Sequence, residues 1–339
     1  MVSVATFLDE ARVATPVAAG PVVMASPPAL LARDEQSIRI GYGEAPAHHG
    51  EVVQGMFYSS DGTVEHGLVT LPCPLFRARA GFRPVRSGSL TVEPRGRVRA
   101  GTAARLTLDV LGRVGWGGTL RMDSNVPLRW GCGSSTADVL AAIRAVADAF
   151  DTTLPPEWIS RLSVASETAS DSVMFGPQRA VLFAQRRGSV LLDLGGPLPP
   201  VWVVGFNTEG NCGVDTLVLP PCQYSAWEIE AFGPVLGLLR RAVERQDPVL
   251  MGRAATASTM IMQRHRPKTG MPQLLRLAED LGALGVQVAH SGTVAGLLFA
   301  PMDDVVGRIG RARTALGRLG LRDTWLFSTH PRSHPESLS

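Results

Sequence analysis

Pro127-Leu128-Arg129-Trp130-Gly131-Cys132-Gly133-Ser134-Ser135-Thr136 leads from a predicted strand, Gly118 to Met122, into a predicted helix over Ser134 to Phe150. Periodicity carries the helix reading: Val139, Leu140, Ile143, Val146, Ala147 and Phe150 share one face, while Asp138, Arg144 and Asp148 lie elsewhere. Two glycines let the backbone bend and approach a ligand closely, and two serines place hydroxyls beside the unpaired N–H groups of the first helical turn. The partial positive charge of a helix start suits phosphate oxygens, and a serine hydroxyl can also reach a bound metal. An ordinary glycine-rich turn with a serine N-cap has the same composition, so the stretch needs company before it counts as a site.

Outward from this turn, the first half predicts strands at Ile38 to Tyr42 and Glu65 to Leu71 and a hairpin-like stretch from Arg77 to Arg99. A helix follows at Thr102 to Leu111, another from Pro155-Pro156 to about Ser166, and then a hairpin of Ala180 to Ala184 with Ser189 to Leu194. Gly195-Gly196-Pro197-Leu198-Pro199-Pro200 is the strongest turn cluster in mid-chain and marks a domain boundary. Beyond it, strands at Val201 to Phe206, Val286 to Ala289, Val294 to Phe299 and Asp323 to Phe327 alternate with helices at Ala226 to Gln246, Pro248 to Met262, Met271 to Leu284 and Asp303 to Leu319. That pattern is an antiparallel sheet covered by helices, an α+β fold. The domains are therefore expected at 37–196 and 197–330, flanked by an extension over 1–36 and a tail over 331–339.

Composition narrows the function classes. The chain has 339 residues, 45% apolar and 19% charged, enough for roughly two domains of ~150 residues and too apolar for disorder. Its only lysine, Lys268, is preceded by Gln263-Arg264-His265-Arg266-Pro267 with no glycine, which excludes a Walker A loop. Cys73, Cys132, Cys212 and Cys222 form no C-x-x-C pair, which points to a reduced, cytoplasmic protein. The uncharged stretch from Ala14 to Ala32 is broken by Pro16, Pro21, Pro27 and Pro28, so no membrane anchor is expected. A net charge of +3 is too mild to imply nucleic acid. The arginines at 77, 79, 83, 86, 95, 97, 99 and 105, interleaved with Phe76 and Phe82, could form an RNA surface or a solvated hairpin.

The P-x-x-x-G-x-G-S-S form of the turn resembles the phosphate-binding loop of the GHMP small-molecule kinases. Gly50-Glu51-Val52-Val53-Gln54-Gly55, Ser134-Ser135-Thr136-Ala137-Asp138, Glu167-Thr168-Ala169-Ser170-Asp171 and His290-Ser291-Gly292-Thr293-Val294-Ala295-Gly296 resemble the L-threonine kinase branch of that family, which is known from cobalamin side-chain synthesis. The resemblance implies a ribosomal-protein-like N-terminal domain, a ferredoxin-like C-terminal α/β sandwich and an active site in the cleft between them. It implies ATP as phosphoryl donor, held by Pro127, Gly131, Cys132, Gly133, Ser134, Ser135 and Thr136, and the side-chain hydroxyl of a small amino acid as acceptor, L-threonine first, with serine, homoserine or a modified threonine as alternatives; a GHMP-fold ligand sensor without catalysis is the reading from another class.

The remaining motifs take roles within that frame. Glu167 and Asp171 are spaced i,i+4, which would set both carboxylates on one side of a helix end, either as solvated acids or around a cation. By resemblance, Glu167 ligates Mg2+ together with Ser135, and Asp171 faces the acceptor alcohol as orienter or general base. Ser291-Gly292-Thr293 reads as a tight turn that could hold a carboxylate or phosphate, or as a plain hairpin turn. By resemblance it closes the site from the second domain. Where the family has small hydroxyl and cysteine residues, this chain has His48-His49 before Gly50-Glu51. Adjacent residues of an extended segment point to opposite sides, so one histidine, His49, is expected to line the acceptor pocket, with Glu51 meeting the substrate's amino group. Charge neutralisation is expected to rest on magnesium, helix N–H groups and an arginine such as Arg129. Oligomeric state is not legible in the sequence.

Overall fold

The computed structural model describes residues 39–329 except 60, 211, 215–218, 221 and 303. The extension over 1–36, the tail over 331–339 and the expected start at Ser37 and Ile38 lie outside the described residues.

A ten-stranded sheet organises the molecule. Its main path runs β10 (Thr324–Ser328), β7 (Trp202–Asn207), β9 (Val294–Phe299), β8 (Gly285–Val288), β1 (Gly41–Tyr58), β2 (Val64–Val85), β4 (Gly117–Ser124) and β3 (Leu90–Glu93), with the hairpin β5 (Val181–Ala184) and β6 (Ser189–Asp193) attached to β2. Strands β1 and β8, from the two halves of the chain, pair at Glu51 opposite Val288. Glu51, one of the expected site residues, thus stands where the sheet passes from one half to the other. Gly195–Pro200 is the link between β6 and β7.

The strand β1 runs on to Tyr58, well past the expected end at Tyr42, through Gly43, Pro46, Gly50 and Gly55, which in isolation favour turns. The structure uses Gly41 and Gly43 for close approach. A Cβ on Gly41 would lie 2.1 Å from the Ala145 carbonyl oxygen, and one on Gly43 would lie 2.1 Å from that of Ala141. Both carbonyls belong to helix α2 (Ser134–Ala149), whose alanine-rich sequence lets its backbone press onto the strand. Helices α1 (Val98–Val110) and α3 (Pro156–Glu167) pack against α2 in turn.

The stretch from Arg77 to Arg99 is not a hairpin. Its first part continues β2, which pairs antiparallel with both β1 and β4, and Leu90–Glu93 pairs parallel with β4. Parallel neighbours need a crossover, and α1 supplies it. Helix α1 begins at Val98, four residues before the expected Thr102.

In the second half, alternation along the strands sorts residues to two cores. Val201, Val203 and Leu298 face α4 (Ala226–Arg245) and α5 (Pro248–Met262), where Phe232, Leu239, Met251 and Ala254 meet them. Trp202, Val204, Leu297 and Phe299 face α6 (Met271–Asp280) and α7 (Val305–Arg318). The expected α+β architecture is what forms. Among the described residues no helix is long and apolar enough to cross a membrane.

Candidate active site

The quoted turn sits between β4 and α2 and is shaped by two left-handed glycines, Gly131 at φ 87° and Gly133 at φ 69°. Gly133, not a serine, occupies the N-cap of α2, and no side chain caps the helix. Ser134 is already the first helical residue, so the first-turn amides lack a side-chain acceptor. Gly131, Gly133, Ser134 and Ser135 are half-buried, whereas the side chains of Cys132 and Thr136 turn into the protein. The turn is therefore not the serine-capped kind.

Three segments converge on it. From α3, Glu167 is the last helical residue, and Thr168 at φ 67° turns the chain before Asp171. The two acids therefore do not share one helix face, as their spacing suggested; the left-handed turn brings them together instead. Both reach Thr136 Oγ1, Glu167 Oε1 at 2.8 Å and Asp171 Oδ2 at 3.2 Å.

From β1 comes the histidine pair, displayed where the strand bulges between Pro46 and Val53, with Gly50 at φ 62°. His48 donates from Nε2 to Asp171 Oδ2 at 2.7 Å and from Nδ1 to the Gly50 carbonyl at 3.2 Å. Both ring nitrogens thus face acceptors, the pattern of an imidazolium. Burial opposes that charge, but Asp171 and Glu51 outweigh it and raise the His48 pKa to about 9. Burial likewise pushes the Asp171 carboxyl up, and His48 overrides it to hold the group below its ordinary value.

His49, the histidine expected at the acceptor, points the other way. It donates from Nδ1 to Gln287 Oε1 at 2.8 Å and packs between Trp325 and Phe327, where burial lowers its pKa to about 4. It is a neutral core residue, and His48 takes the place beside Asp171.

From the β8–β9 connection, Ser291-Gly292-Thr293 packs directly on the turn. Thr293 N donates to the Trp130 carbonyl at 2.8 Å, and a Cβ on Gly292 would lie 2.5 Å from Gly131 N. Thr293 is buried, with its hydroxyl reaching toward the Cys212 carbonyl at 3.4 Å, while Ser291 is exposed. Glu51 Oε2 accepts from His290 N at 3.0 Å and Nδ1 at 3.1 Å. Ligand atoms of His48, Glu51 and Asp171 lie within 4.8 Å of one another.

Two cations come as additions. Arg99, in the arginine-rich segment, donates from Nη1 to Ser135 Oγ at 2.9 Å. Other arginines of that segment are tied to the fold: Arg77 and Arg79 to Glu44, Arg97 to Asp138, and Arg105 to the carbonyls of Trp116 and Gly88. The second cation is Lys268, between α5 and α6, whose Nζ donates to the Gly292 carbonyl. The sequence left no lysine for this site, because Lys268 lies in no recognisable motif.

Glu167 bears on metal binding. Its carboxyl is buried among the hydroxyls of Ser135, Thr136 and Ser163, with the Asp171 charge nearby. Burial first, and then Asp171, push its pKa up to about 7 despite those hydroxyls. A desolvated carboxylate with only hydroxyl partners is a donor set that suits a hard divalent cation.

Uncapped helix amides thus lie beside buried acids, an arrangement with room for an anion and a cation side by side. Comparisons with known proteins give the family. The family model for the N-terminal domain of GHMP kinases matches residues 99–183. The chain is 27% identical to an L-threonine kinase of Salmonella typhimurium over 263 residues, 77% of this chain and 83% of that protein. It is 32% identical to a 4-diphosphocytidyl-2-C-methyl-D-erythritol kinase of Pelotomaculum thermopropionicum over 235 residues, 65% of this chain and 76% of the relative. The crystal structure of homoserine kinase from Cytophaga hutchinsonii superposes with a TM-score of 0.64 at 16% identity, covering 89% of this chain and 97% of that one. The protein belongs to the GHMP kinases, and as such is an ATP-using kinase.

Proposed function

We propose that the protein transfers the γ-phosphoryl group of ATP to the side-chain hydroxyl of a small free amino acid, L-threonine before others. One observation carries the reading: the uncapped turn from Gly131 to Thr136 is held against the His48–Asp171 pair so tightly that a Cβ on Gly133 would lie 2.3 Å from His48 Nε2. The anion-binding amides and the group suited to an alcohol are thereby fixed relative to each other. The names of the L-threonine kinase relatives support the choice of acceptor.

In this reading the first-turn amides of α2 and the hydroxyls of Ser134 and Ser135 bind the phosphates, with Arg99 beside Ser135 adding positive charge. Ser135 and Glu167 would hold Mg2+, which supplies charge neutralisation on the transferred group. The His48, Glu51 and Asp171 cluster is the poorer cation site, because the imidazolium already occupies the charge there. Asp171, positioned by His48 and Thr136, accepts a hydrogen bond from the acceptor hydroxyl and aims its oxygen. Its depressed pKa makes it a weak base, which suits a loose transition state that needs alignment more than early proton removal. Glu51, fixed by His290, faces the acceptor's ammonium.

The test is ADP release with Mg2+ and a panel of L-threonine, L-serine and L-homoserine, wild type beside Ser135→Ala and Glu167→Gln. L-Threonine should give the highest kcat/KM and both variants should fall by about 100-fold or more. ADP release that no acceptor stimulates would overturn the reading.

A further inference from the structure

Lys268 is the only lysine in the chain, and it ends at the site. Its position is set by backbone. Lys268 N donates to Gln263 Oε1 at 2.7 Å, and Gly270 at φ 72° starts α6 two residues on. The side chain runs part-buried to the Gly292 carbonyl, and Gly292 itself is wedged on Gly131. An ammonium has three donors, and this hydrogen bond uses one. Among the described residues Lys268 forms no ion pair, although the carboxylates of Glu51 and Glu209 act on it electrostatically. Burial, the largest influence, brings its pKa down to about 8. A desolvated cation with spare donors is costly unless a ligand takes them up.

We propose that Lys268 binds the α-carboxylate of the acceptor, so that the site holds a zwitterion between Lys268 and Glu51 and selects free amino acids over amino alcohols. This rests on the kinase reading above and adds the group that sets its substrate class. Glu51 decides between carboxylate and nucleotide phosphate as the occupant: a zwitterion satisfies both side chains at once, whereas a phosphate beside Lys268 would also be repelled by Glu51. The exposed hydroxyl of Ser291 next to Gly292 offers the same carboxylate a further donor.

Lys268 is a specificity residue and has no part in the chemical step, so its loss belongs in KM. With wild type, L-threoninol should be a poorer acceptor than L-threonine by roughly 10- to 100-fold in kcat/KM, the worth of one charge-assisted hydrogen bond. Lys268→Met should lose a similar factor with L-threonine through KM, leave L-threoninol unchanged and leave the KM of ATP unchanged. Lys268→Arg should recover part of the loss.

A second measurement needs no turnover. As the sole lysine, Lys268 gives a single side-chain product with an amine-acylating reagent, which intact-peptide mass spectrometry reads directly. L-Threonine together with Mg2+ and a non-hydrolysable ATP analogue should slow its acylation several-fold. L-Threoninol with the same nucleotide, or the nucleotide alone, should not. Equal protection by nucleotide alone would assign Lys268 to phosphate and overturn the proposal. So would a Lys268→Met variant that loses both acceptors alike, which marks a purely structural staple to Gly292. The two readings fail separately. Absent acceptor-stimulated ADP release defeats the kinase assignment, whereas ADP release with Lys268 equally reactive in the presence of L-threonine defeats only this one.

Discussion

Replacing Gly133 by alanine tests the packing that holds the nucleotide turn against the acceptor residues. Gly133 stands at φ 69°, and its Cβ would meet His48 Cδ2 at 2.2 Å, His48 Nε2 at 2.3 Å and Asp171 Oδ2 at 3.1 Å. The ring cannot retreat, since it is 3% exposed and hydrogen-bonded at both nitrogens. A left-handed backbone costs an L-residue about 1–2 kcal/mol, and forcing a methyl into a filled site costs about 1–3 kcal/mol more. Gly133→Ala should therefore lose about 2–5 kcal/mol in denaturant melts. Gly112→Ala is the matched control, with φ 67° and nothing within 4 Å of its Cβ, and it should lose only the backbone part, about 1–2 kcal/mol. In the ADP-release assay Gly133→Ala should fall by more than about 100-fold, because the methyl displaces His48 from Asp171, and Gly112→Ala should match wild type. If the two variants melt together and both remain active, the turn does not rest on the His48–Asp171 pair and the reasoning is wrong.

Other outcomes follow from the same geometry. Glu167 carries a pKa raised to about 7, so below that pH it is increasingly protonated and must lose its proton to ligate a cation. Apparent Mg2+ affinity, measured by titrating activity, should fall by up to about tenfold per pH unit below 7, and Glu167→Gln should abolish that slope. His48 has a pKa raised from 6.5 to about 9, so its contribution to stability is complete below pH 6.5 and is lost as pH rises through 9. His48→Gln should accordingly cost about 3–5 kcal/mol near pH 6, by denaturant melts, and progressively less toward pH 9. A pH-independent difference would argue against a charged imidazole. Arg99→Met should raise the KM of ATP by about tenfold and leave that of the acceptor unchanged, since among the described residues Arg99 reaches the site through Ser135. A change confined to the acceptor would relocate Arg99.

What was legible in the sequence follows from how local each signal is. Helix α2 and the turn before it could be read because apolar periodicity and the glycine–serine pattern are contiguous. The second-half strands came out within a residue or two, as each is a short buried run bounded by turn residues. Strand β1 is legible only as far as Tyr42 because the glycines and proline beyond it signal turns in isolation, and only α2, some hundred residues later, shows that Gly41 and Gly43 make room for a helix backbone. The same non-locality governed the site. Glu167 and Asp171 were found together, but the left-handed Thr168 that brings them to Thr136 has no sequence signature. Extended geometry said correctly that His48 and His49 diverge; which one meets Asp171 depends on bulges in β1. Lys268 sits outside every motif and Arg99 reads only as one of an arginine-rich run, so nothing short of the folded chain places them beside Gly292 and Ser135.

A crystal structure of the protein with Mg2+ and a non-hydrolysable ATP analogue addresses the central claim most directly. The account predicts β- and γ-phosphate density on the amides from Gly131 to Thr136, with the metal between Ser135 and Glu167 and the γ-phosphate turned toward Asp171. Nucleotide bound elsewhere, or phosphates that leave the first turn of α2 empty, would contradict it.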